Sequence, residues 1–136
     1  MRKLFAGVAF LLMLAIAIQF FLAATGAYDD APVDDSFQMH RALGYAIILI
    51  AGLVALVGAL ARVPGQLIAM AGAVAGLTIL QAVIAGVAGA LDDTGGGTST
   101  TSAMVFGLHA INAVAIVFTA SGLVSGARGL VSAETA

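Results

Sequence analysis

The chain has 136 residues, of which 62% are apolar and only 9% are charged. A soluble domain carries about 25% charged residues to coat its surface, and five Lys/Arg with seven Asp/Glu cannot do that here. With a mean hydropathy of +1.13, the bilayer is the obvious solvent. The same arithmetic excludes an ordinary soluble enzyme, a disordered chain and a nucleic-acid binder that relies on a basic patch. The absence of cysteine excludes a disulfide frame, a thiolate metal site, a catalytic thiol and thioether-linked haem.

A transmembrane helix needs about 20 apolar residues to cross ~30 Å of hydrocarbon. Four segments meet that length, at about 4–24, 42–61, 67–91 and 103–124. They predict an all-α integral membrane protein, a four-helix bundle forming a single domain over residues 1–136. The first span opens with Arg2-Lys3 and closes near Thr25-Gly26-Ala27, as a secretory signal does. Its apolar run exceeds the roughly 7–15 residues of a signal, so it is expected to stay as a span.

Three polar breaks separate the spans. Tyr28–Ser36 holds Asp29, Asp30, Pro32, Asp34 and Asp35. Arg62-Val63-Pro64-Gly65 predicts a tight turn, because Pro64 lacks the N–H needed to continue a helix. Asp92–Ser102 is acidic, then rich in Gly, Thr and Ser, and predicts a mobile loop ending in a Ser/Thr helix cap. The Asp pairs at 29/30, 34/35 and 92/93 lack the alternating spacing and terminal Glu of a calcium loop. Gly95–Gly97 is not a phosphate loop, since no Lys-Ser/Thr follows it.

Positive residues mark the cytoplasmic side of a membrane protein. Arg2, Lys3, Arg62 and Arg128 share one face if both termini are cytoplasmic, which leaves Arg41 as the sole positive residue opposite. A multi-pass protein of the cell membrane is expected, with its acidic loops outside.

The four spans carry the outline of two direct two-helix repeats. Gln19 and Gln81 precede Asp29-Asp30 and Asp92-Asp93, and the next helix in each half carries a histidine. His40 and His109 both have Ala-Ile at the sixth and seventh following positions. Copies with two spans each share one orientation, so a two-fold axis along the membrane normal can relate them. That axis sets the two imidazoles facing each other in the first turns of their helices.

His40 and His109 are the only histidines, and ionisable groups in membrane helices usually face the bundle interior or a cavity. Neutral imidazoles there could supply both axial nitrogens of one haem b, which needs no cysteine or acid. Equally, each could be an ordinary hydrogen-bonding residue near the lipid interface. Gly44 and Ala113, each four residues after a His, lie one turn along the same face and would clear a slot for a macrocycle. Arg41 could hold a haem propionate, or pair with Asp34, Asp35 or lipid phosphate. Gln19, Gln81 and Asn112 could orient the imidazoles, or tie helices together by hydrogen bonds. Gly72-x-x-x-Gly76 and Gly122-x-x-x-Gly126 predict close helix packing.

The His40-Arg41 pair opening a helix, with Leu108-His109-Ala-Ile-Asn112-Ala, resembles a small family of four-helix prokaryotic membrane proteins of unknown function. More distantly, one His in each of two helices of a four-helix unit is similar to half of a haem A synthase and to the core of cytochrome b561-type proteins. That resemblance implies a bundle able to clasp haem between His40 and His109. Haem A synthases resemble one another in an acid three residues before His-Arg, and here that residue is Phe37. The departure argues against their oxygenation chemistry in this chain alone. Cytochrome b561-type proteins use four histidines and two haems, whereas two histidines serve one haem and cannot relay electrons across ~30 Å.

The leading expectation is a haem-b-binding redox or haem-handling module. The alternatives are a cofactor-free scaffold or accessory subunit of a larger membrane complex, and a quinone- or lipid-binding bundle. Ala/Gly stripes allow a second copy or another membrane partner, and no nucleic acid is expected. A transporter fits poorly, because no carboxylate, Lys or Arg is predicted in mid-bilayer to couple ions. So few acids and bases predict a chain that binds something rather than transforms it.

Overall fold

A computed structural model describes residues 1–92 and 99–134, all helix and turn with no strand among them. Four long helices form the body: α1 (Arg2–Ala27), α3 (Gln38–Leu60), α4 (Gly65–Ala90) and α5 (Thr100–Ser132). Each is long and apolar enough to span a membrane. A one-turn helix, α2 (Val33–Ser36), sits in the acidic break between α1 and α3. Gly26 lets this turn close onto α1, since a Cβ there would lie 2.7 Å from the Ser36 carbonyl oxygen.

The helices outrun the apolar windows that predict them. Backbone hydrogen bonding does not stop where side chains turn polar, so α3 begins at Gln38 and α5 continues to Ser132. Ser99 caps α5, its hydroxyl accepting from the Ser102 N–H at 3.0 Å, as the sequence predicts. The glycine-rich part of the preceding loop, expected to be mobile, lies at residues 93–98, outside the described residues.

The turn from α3 to α4 has a specific closure. Val63 N–H donates to the Gly58 carbonyl and Arg62 N–H to the Ala59 carbonyl, both at 3.1 Å. This pairing is a Schellman motif, which satisfies the last carbonyls of a helix. It requires a left-handed residue, usually glycine. Here Arg62 takes that role with φ 53°, and Val63, buried, seals the end beneath it.

α1 and α4 each pack against both α3 and α5, so α1 faces α4 and α3 faces α5 across the two diagonals. Arg2 Nε lies 3.5 Å from Glu134 Oε1, which places both chain ends on one face of the bundle. Towards that face the interior is solid, with Phe5, Leu12, Val54, Val74 and Leu123 fully enclosed.

Large apolar side chains point outward instead: Leu49 is 75% exposed and Phe118 74%. Many interior positions are small, including Ala9, Ala51, Ala71 and Ala120. Small residues inside and large ones outside suit a lipid solvent, where packing distance rather than hydrophobic exclusion drives helix association. Gly122 and Gly126 fit that rule. A Cβ on either would come within 2.5 Å of Met70 Cε or Leu67 Cδ2 respectively. Gly72 and Gly76 do not, for both face open space. Their spacing is right, but the helix turns that face away from its neighbours.

Candidate functional site

Beyond the solid half, the four long helices part around a cavity of about 470 Å³. Its wall includes Gln19, His40, Arg41, Gly44, Gln81, His109 and Ala113, drawn from every long helix. Gln19 lies eight residues before the end of α1 and Gln81 nine before the end of α4. At ~1.5 Å per residue both are about 12–14 Å deep. His40 is in the first turn of α3, as expected, but His109 is nine residues into α5. The two still meet, because α5 starts well before its apolar core and carries His109 down to the level of His40.

The imidazoles face each other across the α3/α5 diagonal with ring centres 6.4 Å apart and planes inclined at 42°. The Gln19 carbonyl lies 3.2 Å from His40 Nδ1, and the Gln81 carbonyl 3.3 Å from His109 Nδ1. A carbonyl only accepts, so each Nδ1 carries the proton and each Nε2 keeps its lone pair. The repeat read from the sequence is thus present in space, as one Gln–His contact in each half.

A phenylalanine stands beside each histidine. Phe37 packs edge-on to His40 at 5.9 Å, and Phe106 stacks on His109 at 5.0 Å with planes 9° apart. Both phenylalanines precede their histidine by three residues, so Phe-x-x-His occurs once in each half. Aligning the halves on the histidines rather than the glutamines exposes this signal, because the second half has seven more residues between Gln and His.

The side chains of the two glutamines differ. Gln19 Nε2 donates to the His40 carbonyl at 2.9 Å and lies 3.3 Å from His40 Nε2, within reach of its lone pair. Gln19 Oε1 and Gln81 Oε1 are both buried without a hydrogen-bond partner. Four polar atoms here are therefore acceptors: two imidazole nitrogens and two amide oxygens.

Arg41 lines the cavity and also reaches outward, donating to the Asp34 carbonyl and lying 3.6 Å from its carboxylate. Asp34 is almost fully exposed, so this ion pair contributes little stability. Asn112 is not part of the wall. It is buried at the α4–α5 seam, donating to the Leu77 carbonyl at 2.8 Å, because three residues beyond His109 the helix surface has turned towards α4. Of the eight candidate site residues named from the sequence, Gln19, His40, Arg41, Gly44, Gln81, His109 and Ala113 come together at one cavity and Asn112 does not.

No curated protein and no solved structure matches this chain. The profile of a family of unknown function (DUF6220) matches residues 19–90, more than half of the chain. The match takes in Gln19, His40 and Gln81 and stops short of His109. On this match the chain belongs to that family of unknown function.

Proposed function

We propose that the protein binds one haem b between His40 and His109 and serves as a redox or haem-handling module in the cell membrane. The observation that carries this reading is the pair of opposed imidazoles, each with Nδ1 tied to a backbone carbonyl and Nε2 left as acceptor. Metal-bound histidines are held in just this way, with the second nitrogen donating to an orienting carbonyl. Ring centres 6.4 Å apart across the cavity leave space for a group between the two imidazoles.

No group of three or more His, Cys, Asp or Glu gathers among the described residues. Two imidazoles alone are a poor cage for a bare ion, whereas His40 and His109 would suffice to hold the iron of a haem. Gly44 and Ala113 keep the walls beside the imidazoles low, and Arg41 at the mouth offers a guanidinium to a propionate. Bound in this way, haem supplies one-electron transfer. The protein's own residues hold it, fix the imidazole tautomers and surround it with apolar side chains.

The distribution of charge supports an orientation with both termini cytoplasmic and the cavity in the outer half of the membrane. The two unpartnered glutamine oxygens favour a second reading, a hydroquinone whose hydroxyls donate to them. An absorption spectrum decides between the two. Protein purified in detergent after haem supply should show a Soret band and a low-spin spectrum in both redox states. Absence of any Soret band sinks the haem reading.

A further inference from the structure

We infer that Gln19 is a displaceable cap on His40, so that the site fills through His109 first and His40 second. The inference rests on the haem reading above. It starts from an asymmetry between two halves that are otherwise alike. Both histidines donate Nδ1–H to a glutamine carbonyl, at 3.2 and 3.3 Å. Only His40 also has an amide against its Nε2, from Gln19 at 3.3 Å. Among the described residues no donor is hydrogen-bonded to His109 Nε2, and the Gln81 side chain makes no bond to that ring.

The cause lies four residues beyond each histidine. A Cβ at Gly44 would lie 3.3 Å from Gln19 Nε2, tighter than an ordinary contact, so the amide rests where a methyl would crowd it. The equivalent position in the other half is Ala113, which carries that methyl. A glycine permits the cap and an alanine disfavours it. The cap is also easily released. Gln19 Nε2 holds the His40 carbonyl at 2.9 Å and touches the ring nitrogen only at the long end of hydrogen bonding. His109 is therefore open to a metal from the outset, whereas His40 is open only after the Gln19 amide moves away.

The test uses the full chain in lipid nanodiscs, with ring nitrogens of histidine labelled with ¹⁵N. Without any ligand, both rings should report protonated Nδ1. His40 Nε2 should resonate at lower ¹⁵N frequency than His109 Nε2, as an accepting nitrogen does. Gln19→Leu and Gly44→Ala should each erase that difference, and Gln81→Leu should leave it.

Haemin is then added in a stopped-flow instrument. The wild type should bind in two phases, the second converting a high-spin to a low-spin spectrum. Gln19→Leu should speed the second phase by about 3- to 10-fold, the equivalent of one hydrogen bond, and leave the first unchanged. His40→Ala should keep the first phase and lose the second, while His109→Ala should lose the fast first phase. Matching Nε2 resonances in the ligand-free protein overturn the inference. So does an equal acceleration by Gln81→Leu, or identical kinetics in the two histidine variants. If no variant develops a Soret band, the haem reading and the filling order fall together. A persisting resonance difference would then still support the cap.

Discussion

His40 and His109 confront each other across one diagonal of the bundle with ring centres 6.4 Å apart, although 68 residues separate them in the chain. Each is anchored through Nδ1 to a glutamine carbonyl, His40 to Gln19 on α1 and His109 to Gln81 on α4. The anchors lie on the other diagonal, so all four long helices fix the pair. Both rings are thereby held from behind, with His109 Nε2 left open and His40 Nε2 touched only by the Gln19 amide.

Replacing either histidine by Ala should abolish the low-spin haem spectrum. Loss of a partner that merely orients a metal ligand costs about 10–100-fold in affinity, so loss of the ligand itself should cost at least that. Titration with haemin, followed by absorbance, measures it. If both single variants retain a wild-type low-spin spectrum, the axial assignment is wrong.

Asn112→Ala should destabilise the bundle without altering haem affinity. It removes the side chain that bridges α5 to the Leu77 carbonyl, a kind of bond worth about 0.6–2 kcal/mol within membranes. Unfolding in detergent should reveal the loss, and haemin titration should not. A weakened haem site would mean that Asn112 acts on the imidazoles after all.

Arg62→Gly should stabilise the protein by about 1 kcal/mol. Arg62 holds a left-handed backbone at φ 53°, a conformation that costs an L-residue roughly 1–2 kcal/mol, part of which glycine returns as chain entropy. Arg2, Lys3 and Arg128 remain to mark the same side, so orientation should persist. A lower melting temperature in detergent would count against this account of the turn.

The glycines should not respond alike. Gly126→Ala places a methyl 2.5 Å from Cδ2 of the buried Leu67, whereas the Met70 Cε that faces Gly122 ends a flexible, half-buried side chain that can swing aside. Overpacking costs about 1–3 kcal/mol at Gly126, and Gly122→Ala should cost less. Gly72→Ala and Gly76→Ala meet open space, and should be neutral or gain up to about 1 kcal/mol from helix propensity. Parallel unfolding of the four variants is the measurement. Similar losses in all four would show that Gly72 and Gly76 pack against something after all.

The natural chain has no cysteine, so single introduced thiols report topology cleanly. Asp29→Cys should react with an impermeant maleimide added to intact cells, and Ala133→Cys should react only after lysis. The reverse pattern would turn the bundle over and place the cavity in the inner half of the membrane.

Sequence alone determined the solvent, the four spans and the two histidines as the residues with chemistry to offer. These follow from composition and from apolar run length, which act one helix at a time. It also carried the Gln–His repeat, since both members of each half are local landmarks. Tertiary structure decided what depends on helix rotation. Asn112 turned to α4 rather than to the cavity, and Gly122 and Gly126 met neighbours while Gly72 and Gly76 did not.

Rotation was hidden for a physical reason. In lipid both faces of a span are apolar, so no hydrophobic stripe marks the inward side as it does in water. Small side chains and a few polar atoms set the facing instead, and only packing reveals which of them meet. Gly44 and Ala113 are one methyl apart in the sequence. In the structure, that methyl marks the difference between a histidine covered by an amide and one left open.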